Sequence, residues 1–257
     1  MYCDRCERES DEYDTIYSYS YKPLPQFHGE GPLYLGLELE INCLRDRVSQ
    51  CANTAVEALG SLGYLKEDGS ISLGFELVTH PMSYEWAIQN FPWKLLTALQ
   101  DLGCDGEDVG LHVHVSREGF DSTAHRYRWL KFIYRNENPV CRIARRRSGE
   151  WASFRPADRA NARSYAKGLK GDARYRAINT LPDKTYEMRV FASSLDPREV
   201  QAALALAAAS VEYTRRLTVA DVHRRSGWSW ASFLAWTAAH PEYQPLNEEW
   251  ADLACAC

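Results

Sequence analysis

Long apolar runs are missing from this 257-residue chain. Its most apolar stretch, residues 200–211, is interrupted by Gln201 and Ser210. A membrane-spanning helix needs about 18 or more apolar residues in succession, so the sequence predicts no membrane span. Met1 leads into polar and charged residues, not into the apolar run of a secretory leader. We therefore expect a cytoplasmic protein.

Disulfides are rare in that compartment, so the eight cysteines are expected to be thiols or metal ligands. Two closely spaced pairs lie at the ends of the chain: Cys3 with Cys6, and Cys255 with Cys257. A structural Zn²⁺ needs four ligands, and chain termini often lie close together, so one hypothesis is a zinc site joining the termini. The alternative is unbound surface thiols. The other four show no ligand spacing and are expected to pack as small apolar residues: Cys43, Cys51, Cys104 and Cys141.

Charge of one sign is not in large excess, since the formal net charge is −5. This value gives no general argument for a nucleic-acid partner. The charge is nevertheless uneven, because residues 142–176 are rich in arginine. Such a run is commonly a solvated helix face, but its place between two predicted strands favours contact with phosphate or an acidic substrate. Nucleic-acid binding is the minority alternative.

The pattern of apolar residues predicts both strands and helices. Alternation predicts strands at 33–42, 75–80, 111–116 and 185–191. Helical spacing predicts helices at 48–62, 84–102, 122–136 and 197–217. Without a regular βαβ order, this favours an α+β domain on a largely antiparallel sheet over residues 29–257. Residues 1–28 are acidic and aperiodic, and we expect an extension wrapped over that domain.

Three predicted strands carry ionisable residues two positions apart: Glu38 and Glu40, His112 and His114, and Glu187 and Arg189. Residues i and i+2 of a strand point to the same face, about 6.6 Å apart. The residues between and beside them are apolar and would face the core. An ordinary wet face would mix lysine, threonine and serine with acids. Here hard oxygen donors, imidazoles and one arginine predominate instead.

Two further acids extend this set. Glu76 lies on another strand, and Asp68 lies at the turn before it. Carboxylates that converge on one face repel each other unless cations or protons compensate them. Carboxylate-rich sites suit magnesium or manganese together with phosphate oxygens. The spacing therefore indicates a metal–phosphate site, with a plain amphipathic sheet as the alternative.

Four motifs in order resemble the amidoligase family of the glutamine synthetase and glutamate–cysteine ligase superfamily: YLGLELEIN, EDGSISLGFELVTHP, GLHVHVS and RYRAINTLPDKTYEMRVFASSLD. The resemblance spans Leu33 to about Leu217. It implies a curved, largely antiparallel sheet of the glutamine synthetase catalytic type, with helices packed on its convex side. Its concave face would bind two or more divalent ions and the triphosphate of ATP. A GxxxxGK[ST] phosphate loop is absent from the sequence, which is consistent with metal-mediated nucleotide binding.

The resemblance also implies roles for individual residues. The implied Mg²⁺ or Mn²⁺ ligands are Glu38, Glu40, Glu76, His112 and Glu187. The implied contacts to ATP or its phosphates are His112, His114, Arg174, Asn179 and Arg189. Arg189 would offset charge during phosphoryl transfer, and Asp68 or Glu76 would take a proton from the attacking amine.

The implied activity is an ATP-dependent ligase that joins a carboxylate to an amine through an acyl phosphate. Its partners would be small-molecule or peptide carboxylates and amines. Two alternatives stay open. One is a non-catalytic protein of the same fold that binds a ligand or nucleic acid. The other is a phosphagen-type kinase that phosphorylates its acceptor and stops.

Overall fold

A single open sheet of seven strands organises the computed structural model, which describes residues 15–171, 173–224 and 226–255. Its strands are β1 (Ile16–Tyr17), β2 (Leu35–Asn42), β3 (Gly63–Lys66), β4 (Gly74–Thr79), β5 (Gly110–Ser116), β6 (Ile178–Asn179) and β7 (Thr185–Ala192). Their spatial order is β1-β3-β4-β2-β5-β7-β6. Only β1 and β3 pair in parallel among these strands, and the other neighbours are antiparallel.

The described residues also form ten α-helices: α1 (Val48–Leu59), α2 (Tyr84–Asn90), α3 (Lys94–Asp101), α4 (Thr123–Arg135), α5 (Glu137–Ile143), α6 (Pro156–Ala166), α7 (Pro197–Arg216), α8 (Val219–His223), α9 (Trp230–Ala238) and α10 (Gln244–Cys255). Short 3₁₀ helices lie at Gly60–Leu62, Arg117–Gly119, Ser226–Trp228 and Pro241–Tyr243. The predicted α+β class and largely antiparallel sheet are therefore confirmed. Among these helices, none combines the length and apolar character that crossing a bilayer requires.

One face of the sheet is apolar and covered by helices. On β2, Leu37, Leu39 and Ile41 are at most 1% exposed, as alternation predicts. Helix α7 packs against β2 and β5, and α1 packs against β3 and β4. Asp196 caps α7 by accepting a hydrogen bond from the Arg198 backbone N–H. The many buried alanines of α7 let its backbone lie close to the sheet.

Several elements differ from the prediction, and two helices and one strand show the physical reasons. Residues 84–102 form two helices because Pro92 lacks the backbone N–H that a continuing helix needs, and Phe91 before it is extended. Helix α1 ends at Leu59, and the chain tightens into a 3₁₀ turn. Strand β3 follows this turn directly and was not predicted, since four residues are too few to show a period.

Candidate functional site

The face of the sheet opposite the core gathers the predicted polar residues. Strand register places three pairs directly across from each other: Glu38 with His112, Glu40 with Glu76, and His114 with Glu187. Residues opposite each other in antiparallel strands point to the same face. The structure thus brings together acids and histidines of β2, β4, β5 and β7 that are far apart in sequence.

His112 lies at the centre of this face and is buried. Carboxylate oxygens surround both ring nitrogens: Nδ1 is 3.5 Å from Glu38 Oε2 and 3.6 Å from Glu187 Oε1, and Nε2 is 3.7 Å from Glu40 Oε1. These separations exceed the usual range of a strong hydrogen bond. The imidazole is therefore shared among three acids without a short bond to any of them.

His114 forms a tighter pair with Glu38. Its Nε2 lies 3.3 Å from Glu38 Oε1, and its Nδ1 lies 3.0 Å from the Thr185 hydroxyl. Burial opposes protonation of the imidazole, but the Glu38 charge outweighs it and raises the pKa of His114 to about 9. Burial likewise opposes ionisation of Glu38, yet His114 and His112 hold the pKa of Glu38 well below its usual value.

A shift in register shapes the site at β7. Leu111 pairs with Phe191 whereas Val113 pairs with Met188, so Arg189 and Val190 both stand opposite His112. Bulges of this kind often re-aim side chains beside functional sites. Here Arg189 Nη1 lies 3.4 Å from His112 Nδ1.

Glu187 is held by two neighbours on the same side of the sheet. Arg189 makes an ion pair with Glu187 Oε1, and Asn179 Nδ2 donates to Glu187 Oε2 at 2.6 Å. Burial opposes ionisation, but His114 and Arg189 lower the pKa of Glu187. In this structure Asn179, which the resemblance placed near the cofactor, orients a candidate metal ligand.

Glu76 and Asp68 lie at the other side of the face, with a lysine that sequence reasoning missed. Lys66 Nζ is 2.7 Å from Glu76 Oε2 and 3.9 Å from Glu38 Oε1. Burial, reinforced by the charge of Glu38, raises the pKa of Glu76 to about 8 in spite of this lysine. The available signal was Tyr64-Leu65-Lys66, in which buried Leu65 puts Lys66 on the acidic face.

Two further residues that were not predicted as site residues, Gly110 and Arg146, lie beside Glu40. The Gly110 backbone N–H donates to Glu40 Oε2 at 2.6 Å. A Cβ atom at Gly110 would lie 2.7 Å from Arg146 Nη1 and 3.2 Å from His112 Nε2, so a larger residue would displace the Arg146 guanidinium. Arg146 is the arginine of the basic stretch whose charge acts on Glu40. The glycine directly before LHVH was the available signal.

The donor set fits a divalent ion. Three overlapping groups have one ligand atom per residue within 4.8 Å of one another: Glu38, His114 and Glu187; Glu38, Glu76 and His112; and Glu40, Asp68 and Glu76. Neighbouring ligands of a six-coordinate ion with bonds of about 2.1 Å are about 3 Å apart. The nitrogen–oxygen separations of 3.3–3.7 Å around the histidines would therefore need to close by about 0.3–0.7 Å.

A cavity of about 460 Å³ adjoins Glu38 and His114. Its walls include Pro25, Phe27, Tyr34 and Gly36. Pockets of this size hold small-molecule ligands, mostly through apolar walls and a few polar groups. The cavity is therefore suited to a substrate whose reactive end reaches the acidic face.

Arg174 is the predicted site residue whose observed contacts lie away from the acids. It is exposed, and its guanidinium donates to the hydroxyls of Tyr19 (3.0 Å) and Tyr175 (2.8 Å). The Tyr175 ring in turn lies 5.9 Å from the Arg189 guanidinium. Arg174 thus stands one aromatic ring away from the site, and its contact with ATP stays a prediction.

The zinc hypothesis also stays a prediction. Cys3, Cys6 and Cys257 lie outside the described residues, and Cys255 is exposed at the end of α10.

Comparison of the chain with models of protein families finds no match, and comparison with curated proteins finds none either.

Proposed function

We propose that this protein is an ATP-dependent carboxylate–amine ligase that uses Mg²⁺ or Mn²⁺. The observation that supports it best is the convergence of Glu38, Glu40, Glu76 and Glu187 with two histidines on one face of the sheet. The four motifs that resemble amidoligases supply the reaction type. An open, mostly antiparallel sheet with one helix-covered face is compatible with the glutamine synthetase catalytic type, which we include in the proposal.

The bound ions would be held by the acids and His112, and they would neutralise the triphosphate and the transferred phosphoryl group. The protein adds fixed cations of its own. Arg189 lies beside His112. The Arg189 Nε–H has no hydrogen-bond partner among the described residues, so this donor is available to a phosphate or carboxylate oxygen. The Arg146 guanidinium interacts electrostatically with Glu40 on the same face.

A carboxylate is a poor electrophile until its oxygen receives the γ-phosphoryl group of ATP and becomes an acyl phosphate. An amine then attacks the carbonyl carbon, phosphate leaves, and the amine must lose a proton. Glu76 is one candidate to accept this proton, because its buried carboxyl lies on the same face as the other site residues. Asp68, which shares a ligand group with Glu76, is the second candidate.

Turnover assays test the proposal. Purified protein is incubated with ATP, Mg²⁺ or Mn²⁺, and a mixed panel of carboxylates and amines, and products are identified by mass spectrometry. Ligase activity predicts ADP, free phosphate and an adduct lighter by one water than its two parts together. A stable phosphorylated acceptor would identify a kinase instead. Absence of nucleotide binding in the presence of either metal would favour a non-catalytic binding protein.

A further inference from the structure

Three cysteines that are scattered in sequence meet in the interior. Cys43 follows β2, Cys51 lies in the first turns of α1, and Cys104 follows α3. One sulfur from each lies within 4.8 Å of the other two, and the Cys43 and Cys104 sulfurs are 3.5 Å apart. The expectation that these residues pack as small apolar side chains is confirmed by their burial in the core, but the sequence did not show that the three sulfurs meet.

The backbone around the cluster is fixed by hydrogen bonds. Cys43 N donates to Leu73 O at 3.0 Å, and Cys104 N donates to Leu99 O at 3.0 Å. The adjacent residues Asn42 and Asp105 form an antiparallel bridge, which places Cys43 opposite Cys104. Since the third cysteine is part of α1, all three sulfurs are carried by ordered elements. Such prior positioning is what a metal site requires.

The geometry and burial favour a three-coordinate soft ion. Three sulfurs that each lie about 2.3 Å from a central ion in one plane are about 4 Å apart. The three cysteine sulfurs all lie within 4.8 Å of one another, which allows this separation. No fourth histidine, cysteine or carboxylate of the described residues lies within 4.8 Å of all three sulfurs. Zinc is almost always bound by four ligands in structural sites, whereas thiolates also select Cu(I). The sulfurs are removed from solvent, because Cys51 is 0% exposed and Cys43, the most exposed of the three, is 8% exposed.

The surroundings offer positive charge for an anionic cluster. Burial raises the pKa of the Cys51 thiol to about 12, and the nearby Arg47 guanidinium, whose Nη1 donates to Leu102 O at 3.2 Å, acts against this shift. Cys51 also lies near the N-terminus of the 12-residue helix α1, where the helix dipole favours negative charge. A Cu(I) tris-thiolate carries a charge of −2, which these two features partly offset.

We propose that Cys43, Cys51 and Cys104 form a binding site for one Cu(I) ion. Binding forms three copper–sulfur bonds and releases three thiol protons, with no electron transferred. The proposal is independent of the ligase activity. A disulfide between Cys43 and Cys104 would leave Cys51 without a role and would require an oxidant, so the metal accounts for more of the arrangement.

The test uses the full chain with Cys3, Cys6, Cys255 and Cys257 changed to serine, so that terminal thiols do not compete. The reduced protein is titrated anaerobically with Cu(I) against a chromophoric Cu(I) chelator. We expect one Cu(I) per chain, with three sulfur neighbours by X-ray absorption spectroscopy. In this background Cys51→Ser should weaken binding by at least about tenfold, since even outer-shell changes at metal sites cost that much.

Cys141→Ser is the matched control, because Cys141 is also buried but lies outside the cluster. It should keep the Cu(I) affinity of the parent. Circular dichroism verifies that each variant is folded, and Cys43→Ser, at the least buried position, serves if Cys51→Ser does not fold. Equal Cu(I) affinity in the parent and Cys43→Ser overturns the proposal. So does a reduced parent that binds no Cu(I).

Discussion

The two faces of strand β2 come from one alternating string and have opposite physical character. Leu37 and Leu39 face the helices, where burial of apolar area is favourable at about 25 cal/mol per Å². Glu38 and Glu40 face the other side with side chains only 22% and 7% exposed. A buried carboxylate loses its hydration, and hydrogen bonds or positive charges from neighbouring groups must compensate for that loss. The first face therefore stabilises the fold, and the second costs stability unless cations compensate it.

The compensation from the protein itself is incomplete. Three permanently charged cations lie near five acids on this face, and the two histidines add positive charge only when they are protonated. The cations are Lys66, Arg146 and Arg189, and the acids are Glu38, Glu40, Asp68, Glu76 and Glu187. Burial, together with the negative charge of Glu38, raises the pKa of Glu76. Because the acids outnumber the permanent cations, we expect this face of the sheet to bind metal ions.

The largest expected effect is on the acidic face. Glu38→Gln combined with Glu40→Gln should lower ATP turnover by at least about 10³-fold, because two metal-binding charges are lost. Folding should survive, since the change also removes like-charge repulsion. Steady-state turnover and thermal unfolding measure the two quantities. Glu57→Gln, an exposed acid on α1, is the control and should change neither. Retained turnover in the double variant would refute the site assignment.

The same strand's other face should respond in the opposite way. Leu39→Ala removes a fully buried side chain and should lower the free energy of unfolding by about 2–5 kcal/mol. Turnover per folded molecule should change little at a temperature where the variant is folded. Urea denaturation gives the stability. A large loss of turnover with unchanged stability would show that the two faces are not separable.

A smaller effect should separate two arginines. Arg189→Gln should lower turnover by about 10²-fold, because it removes a cation that lies against His112. Arg174→Gln should lower turnover by less than Arg189→Gln does, because the Arg174 side chain is exposed and bonded to tyrosines. Parallel kinetics of the two variants decide the matter. Equal losses would mean that Arg174 reaches the substrate after all.

The smallest effect concerns pH in protein freed of metal with a chelator. Because the folded pKa of His114 is raised to about 9, its pair with Glu38 contributes stability below about pH 6.5, and this is lost as pH rises through 9. The raised pKa of Glu76 acts in the same direction. The free energy of unfolding should thus fall by roughly 1–3 kcal/mol between pH 6 and pH 10.

His114→Gln should flatten part of that slope, leaving the share due to Glu76. Urea midpoints across this range provide the measurement. If the variant and the parent show the same slope, the His114–Glu38 pair does not carry the dependence.

Much of the site was predictable because it depends on a local rule. Alternation assigns Glu38, His112 and Glu187 to one face whatever the neighbouring strands are. Lys66 was missed because β3 is short, and Arg146 could not be distinguished from the other arginines around it. The shift in register opposite His112 was equally hidden, since a bulge is decided by pairing between strands and not by either string alone.

The sequence by itself determined the α+β class, the two-sided character of the strands and the kinds of donor on the polar side, because side-chain direction in a strand follows from backbone geometry. Only the tertiary structure decided which donors meet. Strand order and register set the separations around His112, the pairing of Glu76 with Lys66, and the meeting of Cys43, Cys51 and Cys104. Those distances arise from packing between segments far apart in the chain, on which local periodicity carries no information.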